Sequence, residues 1–136
     1  MKIYFAGSIR GGREDQEIYI DIISLLKNYG EVLTEHIGLS TISSYGQTDM
    51  TDEEIYTKDT NWIKESDIVI AEVTTPSVGV GYELGLAESL GKKIIVLYRP
   101  QDGKRLSAML AGNTAMTIVQ YIHVSELSKI FDSFLK

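Results

Sequence analysis

The chain has 136 residues, of which 43% are hydrophobic and none is cysteine, and its formal net charge is −6. This is the usual length of one domain with a buried core, so we expect residues 1–136 to form a single domain. The composition excludes disulfides and thiolate sites, the acidic balance argues against a surface for nucleic acid, and no apolar stretch reaches the ~18 residues of a membrane span.

The first predicted strand, residues 2–6, leads into a glycine-rich loop, GSIRGGR at residues 7–13. A helix follows, since residues 14–29 carry apolar side chains at helical spacing. Guanidinium groups pair well with phosphate oxygens and loop amides add further donors, so Ser8, Arg10 and the loop backbone are candidates for a phosphate site. An ordinary strand-to-helix turn with solvated arginines explains the same residues equally well.

Residues 31–34 predict a short second strand, and the polar residues 38–50 predict a loop. Such a loop often contacts the variable part of a substrate, although a plain surface loop is the commoner case. A helix over residues 51–65 then begins with the spacing of a capping box. On that helix Trp62 is predicted to lie in the core, and Asp59 is either a surface acid or an acid of the site.

The most informative stretch follows the third predicted strand, residues 67–71. The helix predicted over residues 79–91 has three glycines near its start: Gly79, Gly81 and Gly85. Each costs about 1 kcal/mol relative to alanine, which indicates close approach of the backbone to the sheet or to a ligand. Ser77 stands at the helix start, where free N–H groups bind anions, and Glu83 lies about one turn inside the helix. A phosphate seat with a carboxylate one turn away indicates an enzyme that acts on a small phosphorylated substrate.

Two further strands are predicted at residues 93–98 and 117–122, with a short helix at 105–112 between them and a final helix from Ser125. This alternation predicts an α/β fold: a single flavodoxin-like, or Rossmann-like, domain with a five-stranded parallel sheet in the order 2-1-3-4-5 and helices on both faces. In that winding the ligand site lies beyond the carboxyl ends of strands 1 and 3. Both glycine-rich loops leave those ends, so we expect them to converge on one crevice.

Three long segments of the chain carry a family likeness: IYFAGSIRGGREDQ, DTNWIKESDIVIAEVTTPSVGVGYELG and LYRPQDGKRLSAML. In this order they closely resemble the 2′-deoxynucleoside 5′-phosphate N-hydrolases, which belong to the nucleoside 2-deoxyribosyltransferase superfamily. The likeness covers residues 2–112 and weakens in the 38–50 loop and in the last helix. It implies a hydrolase that cleaves the N-glycosidic bond of a 2′-deoxynucleoside 5′-monophosphate, giving free base and 2-deoxyribose 5-phosphate.

The resemblance also implies catalytic roles for three residues. Glu83 is implied as the nucleophile of a glycosyl–enzyme intermediate, since a carboxylate can trap the oxocarbenium-like state at C1′. Asp59 would donate a proton to the departing base or orient that base. Tyr4 would hydrogen-bond to Glu83 and crowd the 2′ position of the sugar.

The implied substrate-binding residues come from both glycine-rich loops and from the short helix: Gly7, Ser8, Ile9, Arg10, Gly11, Ser77, Gly79 and Ser107. The family contributes the last of these from a partner subunit, so the resemblance implies a homodimer. We expect no organic cofactor and no metal, because no second histidine lies at ligand spacing from His36. The expected partner is a small deoxynucleotide, not a nucleic-acid polymer or a membrane. The lack of an N-terminal signal pattern predicts a cytoplasmic location, or a nuclear one in a eukaryote.

Two other functions compete with this interpretation. A nucleoside 2-deoxyribosyltransferase would pass the sugar to a second base, but it needs little grip on a 5′-phosphate, and the candidate phosphate residues argue against it. A non-catalytic nucleotide-binding module could use the same fold. The intact set of Tyr4, Asp59 and Glu83 argues against such a module.

Overall fold

The computed structural model describes residues 1–9, 12–34 and 50–136. The predictions for Arg10, Gly11 and His36, and for all but the last residue of the 38–50 loop, fall outside these residues. In chain order the described residues form β1 (Lys2–Gly7), α1 (Gly12–Leu26), β2 (Glu31–Val32), α2 (Asp52–Glu65), β3 (Ile68–Glu72), α3 (Val78–Ser89), β4 (Lys93–Tyr98), α4 (Ala108–Ala111), β5 (Thr117–Gln120) and α5 (Leu127–Leu135), with a 3-10 turn at Val124–Glu126 before α5.

The five strands form one parallel sheet in the order β2-β1-β3-β4-β5, as the sequence predicted. Ile3 pairs with Val32 of β2 and with Ile68 of β3, and Ile68 pairs in turn with Lys93 of β4. The chain winds outward in opposite directions from β1 and β3, and in such sheets the ligand crevice opens beyond the carboxyl ends of those two strands. The predicted α/β fold class is therefore confirmed.

Helices cover both faces of the sheet, because side chains that alternate along each strand are apolar on both sides. In β1, Ile3 and Phe5 pack with α1 and α5, whereas Tyr4 and Ala6 pack with α2 and α3. Val69 and Ala71 of β3 join the second layer, and Trp62 of α2 packs against it while only partly buried. The polar end of Tyr4 thus lies on the side of the sheet that carries α2 and α3.

Several element boundaries differ from the predictions for local reasons. Strand β2 has two residues instead of four, because the hydroxyl of Thr34 accepts a hydrogen bond from the Phe5 N–H at 2.9 Å and donates one to the Phe5 carbonyl at 2.6 Å. A side chain therefore replaces the backbone pairing there. Helix α4 starts at Ala108, after Ser107, whose hydroxyl accepts the N–H of Met109 at 3.3 Å. Among the described residues, no helix is long and apolar enough to cross a membrane.

Candidate active site

The candidate site is centred on a hydrogen bond between β1 and α3. The hydroxyl of Tyr4 donates to Oε2 of Glu83. Tyr4 is 2% exposed, since its ring lies in the apolar layer between the sheet and α3. The structure therefore brings together the predicted tyrosine, from within β1, and the predicted nucleophile, from within α3.

Helix α3 begins at the place predicted for phosphate binding. Ser77 is its N-cap, with extended backbone, and the Ser77 hydroxyl accepts the N–H of Val80 at 3.2 Å. This cap satisfies one of the free N–H groups of the first turn, and the others remain available to an anion. Both Ser77 and Gly79 face the same cavity as Glu83.

Two of the three helix glycines do not have the predicted close contact. A Cβ atom built on Gly81 or Gly85 meets nothing within 4 Å, so neither glycine lets α3 approach the sheet within this chain. Of the two expected reasons, close approach to the sheet is wrong at these two positions, and close approach to a ligand stays a prediction. A Cβ on Gly79 would stand 3.8 Å from the Ser77 hydroxyl, which is an ordinary contact beside the cavity.

A cavity of about 300 Å³ joins site residues from β1, the loop that follows it, α2 and α3. Seven of the predicted residues line it: Tyr4, Gly7, Ile9, Asp59, Ser77, Gly79 and Glu83. Asp59 reaches the cavity from α2, so the aspartate that was ambiguous in the sequence lies beside Glu83 and not on a free surface. The cavity stands at the crevice expected from the strand order.

The carboxyl groups of the cavity have perturbed acidities. Burial raises the pKa of Glu83 to about 7; the hydrogen bond from Tyr4 opposes this shift, and the charge of Asp59 adds to it. Burial also raises the pKa of Asp59, against the opposing charge of Lys58. Burial and the Glu83 charge raise the pKa of Tyr4, so its hydroxyl stays protonated and donates. Titratable groups shifted together in a cavity are typical of an active site.

Gly7 and Ser8 of the first loop are fixed tightly against the protein. A Cβ atom on Gly7 would lie 2.8 Å from Cζ of Tyr19, so glycine is required where that ring crosses the end of β1. Ser8 is 5% exposed and is absent from the described lining of the cavity. Its predicted contact with phosphate stays a prediction, as do those of Arg10 and Gly11.

Ser107 lies away from Glu83 within one chain. It lines a second cavity, of about 550 Å³, together with Lys104 and Met109. Ser77 and Val80 line both cavities, so the two meet at the start of α3. Ser107 and Met109 are exposed, the latter at 81%, which rules out a core role for Met109 within the single chain.

The sequence interpretation missed two tyrosines at the mouth of the first cavity. The rings of Tyr56 and Tyr82 have centroids 6.3 Å apart, their hydroxyls are 3.4 Å apart, and both side chains are more than half exposed. Helical spacing carried the signal, because Tyr56 precedes Asp59 by three positions and Tyr82 follows Gly79 by three. In the described part of the chain, no three His, Cys, Asp or Glu side chains are grouped to hold a metal.

Known proteins resemble both the sequence and the fold. The family model described as nucleoside 2-deoxyribosyltransferase matches residues 3–117. A Danio rerio protein named 5-hydroxymethyl-dUMP N-hydrolase is 45% identical over 138 residues, which cover 100% of this chain and 96% of that protein. A Nematostella vectensis protein named putative 2′-deoxynucleoside 5′-phosphate N-hydrolase 1 is 57% identical over 113 residues, covering 82% and 76%. The solved CMP N-glycosidase of Clostridium botulinum shares the fold, with a TM-score of 0.71 at 24% identity over 99% of this chain and 100% of that one.

Proposed function

Since the chain belongs to the nucleoside 2-deoxyribosyltransferase family, we propose that it is an N-glycosidase that hydrolyses 2′-deoxynucleoside 5′-monophosphates to free base and 2-deoxyribose 5-phosphate. The observation that carries this proposal is the grouping of Tyr4, Asp59 and Glu83 around one cavity at the start of α3. Relatives named as N-hydrolases of deoxynucleotides support the same reaction.

Glu83 is the nucleophile of the proposed reaction. Its carboxylate attacks C1′ as the bond to the base breaks, which forms a glycosyl ester through an oxocarbenium-like state. Water then hydrolyses the ester, so the sugar keeps its configuration at C1′. The attacking group must be ionised, and the hydrogen bond from Tyr4 stabilises that ionised form.

Asp59 assists the departure of the base. Its carboxyl group shares the cavity with Glu83, where it can donate a proton to the base or orient the base by a hydrogen bond. The charge of Asp59 also acts on Glu83, since the two carboxyl groups share the cavity. One carboxyl group thus serves as the nucleophile, and the other assists the departing base.

Tyr4 contributes to the selection of the sugar. Its hydroxyl is held by Glu83 at the floor of the cavity, where the 2′ position of a sugar bound over that carboxylate would lie. A ribose hydroxyl placed there would compete for the hydrogen bond and for space. The proposal therefore includes a preference for deoxyribose.

The 5′-phosphate binds at the start of α3 in this proposal. The amides of the first helical turn and the Ser77 side chain supply donors, and the helix dipole favours an anion there. Gly7 and Ile9 line the same cavity from the first loop. Binding of the non-reacting phosphate holds C1′ over Glu83, so binding free energy lowers the barrier of the chemical step.

A homodimer is part of the proposal. Ser107 of one subunit would reach the phosphate of the other, as the family resemblance implies; within its own chain Ser107 lines the second cavity, which meets the first at the start of α3. Exposed Met109 and Val78, at 81% and 94%, are apolar groups that a partner would cover. A cytoplasmic or nuclear location remains a prediction from the sequence.

The test is a substrate panel. Deoxy- and ribonucleoside monophosphates, the matching nucleosides and 5-hydroxymethyl-dUMP are incubated with the protein, and released base is separated by chromatography. We expect hydrolysis of the deoxynucleotides, none with Glu83→Gln, and a glycosylated Glu83 peptide in mass spectra of the quenched enzyme. Equal rates on unphosphorylated nucleosides would contradict the phosphate contacts. Exchange onto an added base faster than hydrolysis would favour the transferase instead.

A further inference from the structure

A buried guanidinium group lies beneath the proposed phosphate seat. Arg99 directly follows β4, and its side chain is 12% exposed. Its Nε donates to Glu72 Oε2 at 3.1 Å and its Nη2 donates to Asp15 Oδ1 at 2.7 Å. The Glu72 side chain is 0% exposed and that of Asp15 is 9% exposed, so the three charges share a site largely shielded from water.

The two carboxylates in turn hold the segment that leads into α3. Glu72 Oε1 accepts the N–H of Thr74 at 2.8 Å, and its Oε2 accepts the Thr74 hydroxyl at 2.8 Å. Asp15 Oδ2 accepts the hydroxyl of Thr75 at 2.5 Å. The N–H of Arg99 also donates to the Thr74 hydroxyl at 3.0 Å. Thr74 and Thr75 are therefore both held in place by hydrogen bonds to shielded carboxylates.

These two threonines stand immediately before Pro76 and Ser77. Ser77 caps α3 and faces the cavity of the site, so the position of Thr74 and Thr75 sets the position of the cap. Asp15 lies in the first turn of α1, the helix that follows the first loop. Arg99 consequently connects the two segments that border the crevice: it bonds to Glu72 at the end of β3 and to Asp15 at the start of α1.

Stability alone is a poor explanation for this charged cluster. Removing charges from water is costly, and buried ion pairs are often replaced by apolar side chains of similar volume with no loss of stability. Such a cluster instead fixes the orientation of the groups bonded to it, because the guanidinium group is planar and each hydrogen bond has a preferred angle. Anion binding at a helix start depends on that orientation, because the N–H donors of the first turn must point at the anion.

We propose that Arg99 is a positioning residue for the 5′-phosphate seat: through Glu72 and Asp15 it sets the position of the Thr74–Ser77 segment against the start of α1. This inference rests on the proposed function for its substrate, but it concerns binding and not the chemical step. The Nε and Nη2 of Arg99 already donate to carboxylates and its Nη1 lies 4.0 Å from Glu14 Oε1, so the inference assigns Arg99 no contact with the phosphate.

Two substitutions and one control test the inference. Arg99→Lys keeps the charge but loses the fork that bridges two carboxylates. Thr75→Val keeps the shape of the side chain but removes the hydrogen bond to Asp15, and Thr75→Ser retains it. Tyr29→Phe is the matched control, because it removes a tyrosine hydroxyl from Asp132, a carboxylate distant from the site.

We expect Arg99→Lys to raise KM for a deoxynucleoside monophosphate about tenfold, a loss of about 1.4 kcal/mol in binding, while kcat stays within about threefold. The inhibition constant of inorganic phosphate should rise in parallel. Thr75→Val should give a smaller rise in both constants, and Thr75→Ser and Tyr29→Phe should match the wild-type protein. The melting temperature is followed for every variant.

A purely structural role gives a different pattern. A lowered melting temperature with unchanged KM and unchanged phosphate inhibition would overturn the proposal, as would a loss confined to kcat. If Arg99→Lys does not fold, Thr75→Val and Thr75→Ser decide by the same constants. If the wild-type protein hydrolyses no deoxynucleotide, the proposed function fails separately, and calorimetric phosphate binding in the same variants decides this inference: equal affinity in all of them would refute it.

Discussion

Tyr4 and Glu83 stand 79 positions apart in the chain, and the hydroxyl of Tyr4 donates its hydrogen bond to the carboxylate of Glu83. The bond joins the third residue of β1 to the middle of α3, across the apolar layer between sheet and helix. Burial raises the pKa of Glu83, and this hydrogen bond lowers it. The first predictions follow from this balance.

The pH profile of the enzyme should show the ionisation of Glu83. Because burial raises the pKa of Glu83 to about 7 and the nucleophile must be ionised, kcat/KM should fall tenfold per unit as the pH drops below about 7. The measurement is kcat/KM for a deoxynucleoside monophosphate between about pH 5 and pH 9. The phosphate of the substrate titrates near pH 6 as well, so the variants below serve to identify the group.

Tyr4→Phe should move that acid limb to higher pH. The substitution removes the hydrogen bond that lowers the pKa of Glu83, so a larger part of the enzyme is protonated at neutral pH. The rate at neutral pH should fall, and the deoxy-to-ribo ratio of kcat/KM should shrink because the crowding hydroxyl is absent. A limb at the wild-type pH would argue against the hydrogen bond, and an unchanged ratio would remove Tyr4 from sugar selection.

Asp59→Asn should move the acid limb in the opposite direction. The negative charge of Asp59 raises the pKa of Glu83, so its removal lets Glu83 ionise at lower pH. At the same time kcat should fall by roughly 10²–10⁴-fold, because the carboxyl group that assists the departing base is lost. The profile is measured as for Tyr4→Phe, and a shift of both variants in the same direction would refute the assignment of these two causes.

Glu83→Gln should abolish turnover and stabilise the fold. Loss of a nucleophile typically lowers kcat on the order of 10⁴-fold or more. The folded-state pKa of Glu83 lies above its ordinary value of 4.5, so the stability linked to this group is present below about pH 4.5 and is lost as the pH rises through about 7. The glutamine variant does not have this loss. Its melting temperature should therefore exceed that of the wild type by more at about pH 8 than at about pH 5, and an equal difference at both would contradict the raised pKa.

Mixing two inactive variants tests the shared site. If Ser107 acts across a dimer interface, Glu83→Ala and Ser107→Ala form mixed dimers with one site that lacks both residues and one that lacks neither. Equal amounts with full subunit exchange should restore about a quarter of the wild-type sites. No recovery after exchange has been verified by native mass spectrometry, or a monomer by sedimentation at assay concentration, would refute the arrangement.

Much of the fold was predictable because the local signals agree with one another. Buried runs such as residues 68–71 and 93–98 alternate with helical segments, and this alternation predicts a parallel sheet. The order 2-1-3-4-5 came from choosing the flavodoxin-like winding, and the structure has that order. The length of β2 was not predictable in the same way. A threonine hydroxyl that takes over the bonds of Phe5 is a contact between distant residues, and no spacing within residues 31–34 reports it.

The candidate site was likewise predictable only in part. Ser77 and Glu83 follow from the helix start, whereas Tyr4 was singled out only by the family resemblance, and the predicted strand order is consistent with their meeting. Arg99 was not singled out, because its role depends on which carboxylates are buried beside it, and Glu72 was placed beyond the end of its strand. Long-range pairing of buried charges leaves no periodic trace in a sequence.

The contacts of Arg99 also bear on the order in which the molecule becomes functional during folding. They connect residues 15, 72 and 99, and Glu72 additionally accepts the hydroxyl of Tyr121 at 2.5 Å. Contacts at such sequence separations form late, because long loops must close before parallel strands can pair. A nascent chain that ends before residue 99 would contain Tyr4, Asp59 and Glu83 and still lack the support of its phosphate seat. The recovery of phosphate-dependent activity after dilution from denaturant would therefore report when the sheet is complete through β5. It should be slower than the recovery of the helical circular dichroism signal.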